Sequence, residues 1–140
     1  MNVEIREATT DDIEAALALW NTDADPGRTI IDEPEGLRRL LASPSGTLLL
    51  AEDGPDVVGT IVAGWDGWRG NLYRLVVRAD HRRRGVARDL VSRAEDVLRA
   101  RGCPRITALV SLGLPEAPSF WPAVGYEHDQ EIGRFVRNLD

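Results

Sequence analysis

One stretch constrains this chain more than any other. Residues 71–102 read as a strand (Asn71–Arg78), a basic turn holding one glycine, and a strongly amphipathic helix of about Arg84–Arg101. The helix places Val86, Ala87, Leu90, Val91, Ala94, Val97 and Leu98 on one stripe, and Gly102 and Pro104 stop it. Backbone amides at a helix start have no partner within the helix, and the helix dipole favours negative charge there. A glycine at the entry lets the backbone approach a phosphate closely. Arginines at the same place add attraction and hydrogen bonds to phosphate oxygens. Physically, the Arg82-Arg83-Arg84-Gly85 turn is a cradle for a phosphate or pyrophosphate.

Composition sharpens this. All 17 basic residues are arginine, against 23 acids, for a net charge of −6. Residues 78–105 hold nine arginines and four acids, so this one stretch is +5 while the rest is −11. An acidic chain with its positive charge gathered at one helix entry is not a general nucleic-acid binder, and no stacking aromatics flank the turn. A single cysteine excludes a disulfide framework within the chain, and two histidines offer little for a metal site, so none is expected. With 140 residues and 43% apolar content, one domain over 1–140 with its own core is expected. No segment resembles a membrane span or a signal peptide, so a cytoplasmic protein without membrane partners is the expectation.

The remaining elements follow from local pattern. Val3–Glu7 alternates as a strand, and Thr9 to Asp12 cap a helix ending near Trp20. Asp32 reads as the cap of a second helix with Pro34 in its first turn. Thr47–Glu52 and Val57–Trp65 read as strands, Arg105–Val110 as a buried strand, and Pro115–Val124 as a short helix. Gly125–Leu139 is expected to supply closing strands. The order is that of an α+β domain.

Arg82, Gly85 and Ala87 form an Arg-x-x-Gly-x-Ala motif behind a strand ending Leu75-Val76-Val77. This combination resembles the coenzyme A-binding motif of the GNAT N-acetyltransferases. Ala117, Phe120, Trp121, Gly125 and Tyr126 resemble the family's Ala-x-x-Phe-Tyr-x-x-x-Gly-Phe segment. Residues 64–70 and 101–104 look like the small bacterial YpeA-like subgroup. The resemblance spans nearly the whole chain and implies a single-domain fold. Its mixed, mostly antiparallel sheet would have six to seven strands flanked by about four helices. It further implies an acyltransferase that moves acetyl from acetyl-CoA directly to a primary amine of a small molecule, peptide or protein, with no acyl-enzyme. By this resemblance, amides across Arg83, Arg84, Gly85, Val86, Ala87 and Arg88 hold the pyrophosphate, with Arg82 in the motif. Leu75 and Val77 would pair with the pantetheine arm and polarise the thioester.

Two departures bear on catalysis. The family's frequent tyrosine acid falls at Trp121, and the family's common Asn after the Arg105–Val110 strand is missing, with Leu114 near its place. An indole donates a hydrogen bond but delivers no proton at neutral pH. Attack by an alkylammonium also requires loss of a proton. Tyr73 is the leading candidate base, placed by two-residue alternation in register with Leu75 and Val77. Tyr126 and then Asp66 follow. Trp65, Asp66 and Trp68 are candidates for the acceptor pocket, while Trp20 completes a helix stripe and reads as core. Asp23, Asp25, Asp32 and Glu33 form either a rim that attracts a cationic amine or a plain exposed loop. Arg93 and Arg99 follow Asp89 and Glu95 by four and read as paired surface residues. The alternative function is a non-catalytic acyl-CoA sensor of the same fold, and the protein is expected to be a monomer or a homodimer.

Overall fold

The computed structural model describes residues 2–23 and 32–139. The chain divides into two compact units, residues 1–110 and 111–140. The first holds β1 (Val3–Glu7), α1 (Ile13–Asp23), α2 (Pro34–Ala42), β2 (Gly46–Asp53), β3 (Asp56–Trp65), β4 (Gly70–Val77), α3 (Val86–Ala100) and β5 (Ile106–Ala108). The sheet order is β1-β2-β3-β4-β5, with every neighbour antiparallel except the parallel β4–β5 pair.

β2 and β3 are buried almost throughout because helices cover both faces of the sheet. On one face, Ile13, Ala16, Leu19 and Trp20 of α1 and Leu37 of α2 pack against Leu48, Leu50, Val62 and Val76. On the other, α3 presents Val86, Leu90, Val91, Ala94 and Leu98, all buried. Full burial of a side chain of this size contributes about 1.5–3 kcal/mol. Gly59 lets α3 come close: a Cβ there would lie 3.0 Å from Leu90 Cδ1 and 3.3 Å from Val86 Cγ1. The first turn of α1 is preceded by a short 3₁₀ segment, Thr10–Asp12. Asp12 accepts from the Thr9 amide at 2.8 Å and from both terminal nitrogens of Arg6, whose Nε reaches Glu52. Arg6 therefore ties the entry of α1 to β1 and β2.

The second unit contains α4 (Ala117–Ala123), whose C-cap is Val124, followed by Gly125 at φ 99°. Here the expectation of closing strands fails. Among the described residues the sheet has five strands rather than six to seven, and residues 127–139 form no strand. The physical reason is legible afterwards. Ile132, Phe135, Val136 and Leu139 do not alternate, and all four are exposed, so the segment has no half-buried face. β5 is likewise shorter and less buried than its composition suggested.

Two local expectations also change. α1 continues to Asp23, past Trp20. Glu33, not Asp32, occupies the cap position of α2, because the Asp32 carboxylate is taken by Arg74 at 2.9 Å.

Candidate functional site

The candidate site is built where β4 ends and α3 begins. β4 pairs with β5 only over Gly70–Leu72, yet β4 runs on to Val77. Beyond the Leu109 amide, which donates to Leu72 O at 3.1 Å, the two strands part. The β5 side of β4 beyond Leu72 therefore has no paired strand among the described residues. This open edge, the cleft between diverging strands, is a place where an extended ligand can add main-chain hydrogen bonds.

At the far end of that cleft the chain turns through residues 79–85 into α3. Gly85 is the N-cap residue, with φ 84° and ψ 2°, and a Cβ built on it would meet nothing within 4 Å. The surface in front of the helix start is open, and the left-handed conformation is what requires glycine there. Arg82, Arg83, Arg84 and Arg88 are exposed around it, while Ala87 is half-buried and Val86 anchors the helix from below. Fit to a pyrophosphate rests on this combination of an open N-terminus and clustered arginines.

Arg82 differs from its neighbours. Its Nε donates to Val77 O at 3.0 Å, and its guanidinium lies 3.7 Å from the Asp23 carboxylate. The same Asp23 accepts from the Ala79 amide at 3.1 Å. The side chain of Arg82 thus braces the turn against the end of α1. Asp23 and Asp32, two of the acids considered for a cationic rim, are engaged within the fold; Asp25 lies outside the described residues.

His81 immediately precedes the arginine turn. It is 6% exposed, with Nδ1 2.7 Å from Asp80 Oδ1 and Nε2 2.8 Å from Asp53 Oδ2. Two acceptor-only carboxylates require both ring nitrogens to donate, which is the imidazolium form. Asp53, then Asp80, hold its pKa above the usual histidine value. Arg78, then His81, hold the Asp80 carboxyl well below the usual carboxylate range. This chain of charges fastens the β2–β3 turn to the cradle.

The middle of β4 overturns the alternation expected for Tyr73. Val62 pairs with Tyr73 but Thr60 pairs with Val76, so β4 has one residue more than β3 in this interval. The extra residue makes a β-bulge at Arg74, whose φ is 51°. Positive φ costs an L-residue about 1–2 kcal/mol, so neighbours must hold it. They do. The Thr60 hydroxyl donates to Arg74 O at 2.9 Å and accepts from Trp20 Nε1–H at 2.8 Å. The Arg74 guanidinium makes two hydrogen bonds to Asp32, at 3.0 and 2.9 Å, and lies 5.6 Å from the Trp20 ring centroid. As a result Tyr73 shares the α1/α2 face with Val62 and Val76, whereas Val77, opposite Gly59, belongs to the α3 face. The Tyr73–Leu75–Val77 register therefore does not exist. A signal for the lock was present in the sequence: Thr60 is the lone hydroxyl inside the apolar run Val57–Ala63.

At the other end of the sheet, Asp66 shapes the β3–β4 turn. Its carboxylate accepts from the amides of Arg69 at 2.7 Å and Trp68 at 2.8 Å, and these two bonds lower its pKa. Trp68 is 69% exposed beneath the Arg69 guanidinium, 4.3 Å from the ring centroid, and Trp65 is half-buried. On α3, Arg99 pairs with Asp96 at 3.1 Å, as three-residue spacing allows. In the second unit, Trp121 is held edge-on between Phe120 and Tyr126, with centroids 5.3 and 5.1 Å away. Among the described residues, no group of three or more His, Cys, Asp or Glu side chains is placed to hold a metal ion. No helix among them is long and apolar enough to cross a membrane.

Comparison with known proteins adds an independent line. The model of the acetyltransferase (GNAT) family matches residues 13–126. An acetyltransferase of Sodalis glossinidius is 37% identical over 130 residues, which covers 93% of this chain and 91% of that protein. One from Pectobacterium atrosepticum is 41% identical over 108 residues, covering 77% and 76%. Among solved structures, the aminoglycoside acetyltransferase AAC(6')-Iy bound to a CoA-containing bisubstrate analogue has a TM-score of 0.82 at 17% identity, covering 99% of this chain and 100% of that one. At that identity the likeness is one of fold.

Proposed function

The chain belongs to the acetyltransferase (GNAT) family, and from that membership we propose that it transfers acetyl from acetyl-CoA directly to a primary amine. One observation carries the reading: β4 outruns β5 and leads straight to a helix start opened by a left-handed glycine. The cleft suits an extended arm, and the helix start suits a pyrophosphate. The first-turn amides through Val86, Ala87 and Arg88 bind its oxygens, while Arg83, Arg84 and Arg88 supply charge. Backbone at Leu75 and Val77 pairs with the pantetheine arm, and the Leu75 N–H faces the thioester oxygen as it gains charge.

In the transfer step the amine nitrogen adds to the acetyl carbonyl carbon. A C–N bond forms, the C–S bond breaks, and the amine proton leaves. Tyr73, which the bulge places on the α1/α2 face of the sheet, is the proposed acceptor of that proton. The departing thiolate takes a proton from solvent, because Trp121 stands where the family commonly has a tyrosine and a thiol of pKa about 8.5 is a fair leaving group. The acceptor is a small molecule, a peptide or a protein amine. Trp65, Asp66 and Trp68 are proposed for its side of the site, with Asp66 shaping the turn on which the two indoles stand. Relatives carrying acetyltransferase names favour an enzyme over an acyl-CoA sensor.

The test is thiol release from acetyl-CoA against amines, polyamines, aminoglycosides and peptides, with CoA binding measured by calorimetry. The proposal expects tight CoA binding and turnover with at least one amine class. Binding without turnover across that panel would favour the sensor, and no CoA binding would remove both readings.

A further inference from the structure

The bulge in β4 is held by a side chain on the neighbouring strand, and the direction in which it is held has a chemical consequence. Thr60 is fully buried, and its one hydroxyl is used both ways, accepting from Trp20 Nε1–H and donating to the carbonyl of Arg74. A trans peptide unit is planar, so its C=O and N–H point in opposite directions. With Arg74 O drawn toward Thr60 on β3, the N–H of the same peptide unit, that of Leu75, is turned to the opposite side of β4. That side is the one β5 accompanies only as far as Leu72. It faces the cleft.

We propose that Thr60 is a positioning residue for acetyl transfer: by holding the Arg74 carbonyl it aims the Leu75 N–H at the thioester oxygen. This rests on the assignment of acetyl-CoA to the cleft. Nothing else on β3 in this interval has a donor side chain, since Gly59, Ile61 and Val62 surround Thr60. The Arg74–Asp32 pair and the Trp20 ring brace the side chain of the bulge, and the Thr60 hydroxyl braces its peptide plane. An amide donor aimed in advance at a developing oxyanion stabilises the transition state more than the ground state. Loss of aim should therefore appear in kcat rather than in coenzyme affinity, because the pyrophosphate cradle stands apart from the bulge.

The experiment compares wild type with Thr60→Val, which keeps the shape and removes the hydroxyl, and Thr60→Ser, which restores it. Two quantities are read: the infrared carbonyl stretch of isotope-labelled acetyl-CoA in the binary complex, and kcat with the best amine of the panel. The wild-type complex should show a lowered carbonyl frequency. T60V should return it toward the free value and reduce kcat by about tenfold or more, as for a weakened oxyanion donor. CoA affinity should stay within about twofold. T60S should keep the wild-type frequency and rate. Should T60V fail to fold, Thr60→Cys, with similar volume and a weak donor, is read in the same way. A folded T60V with wild-type frequency and kcat overturns the proposal. So does a loss of kcat that tracks a loss of CoA affinity, which would make Thr60 a merely structural residue. A wild-type carbonyl frequency unshifted on binding overturns it while leaving the acetyltransferase reading intact; a wild-type protein that does not bind acetyl-CoA defeats that reading first.

Discussion

Replacing Gly85 with alanine separates backbone conformation from steric bulk at the cradle. Gly85 sits at φ 84°, and nothing lies within 4 Å of the position a Cβ would take. The cost of Gly85→Ala is thus conformational alone, about 1–2 kcal/mol for an L-residue in the left-handed region. That energy must appear in one of two places. If the turn keeps its shape, the apo protein loses it as stability, a fall in Tm of roughly 3–8 °C for a chain of this size. If the turn relaxes to negative φ, the amides after it tilt, and binding must restore them. The Kd for CoA then rises about 5- to 30-fold. Thermal melting of the apo protein and calorimetry with CoA together should account for the whole penalty. Gly85→Asn should show a smaller sum, because asparagine enters the left-handed region more readily. An alanine variant unchanged in both Tm and Kd, or an asparagine variant worse than alanine, would refute the reasoning.

Three further outcomes are expected. A Cβ at Gly70 would lie 2.7 Å from Cys103 Sγ and 3.0 Å from Leu98 Cδ1, so Gly70→Ala should destabilise by about 1–3 kcal/mol in urea denaturation. Adding Cys103→Ala should recover part of it, and strict additivity would count against the sulfur contact. His81 has its pKa raised by Asp53 and Asp80. Its contribution to stability should be complete below the unfolded value of about 6.5 and fade as pH rises through the higher folded one. His81→Gln should remove that part of the pH profile; parallel wild-type and variant profiles from pH 6 to about 9 would argue against the carboxylate clamp. Tyr73→Phe should lower kcat at saturating substrates with CoA affinity unchanged, and wild-type turnover would take Tyr73 out of the proton path.

Much of the cradle was legible in the residues. Strand, arginine-rich turn, single glycine and apolar helix stripe are local patterns, and the helix they announce forms within two residues of its expected ends. Arg82 marks the boundary of that legibility. Its place in the motif was plain, but its hydrogen bond to Val77 O and its closeness to Asp23 depend on where α1 ends. Asp32 was read as a helix cap because its neighbours suggested one; a guanidinium 42 positions further along the chain outcompeted the α2 amides.

The sequence by itself determined the order of the α and β elements as far as α4 and the position of a glycine-opened helix start among arginines. These follow from hydrophobic period, turn chemistry and one glycine, all short-range properties. Only the tertiary structure decided which way the middle of β4 faces. A one-residue bulge reverses the side on which Tyr73 lies, and a positive φ at a non-glycine residue leaves no local signature. It persists because Thr60, Trp20 and Asp32, brought from two helices' ends and a neighbouring strand, together outweigh the strain at Arg74.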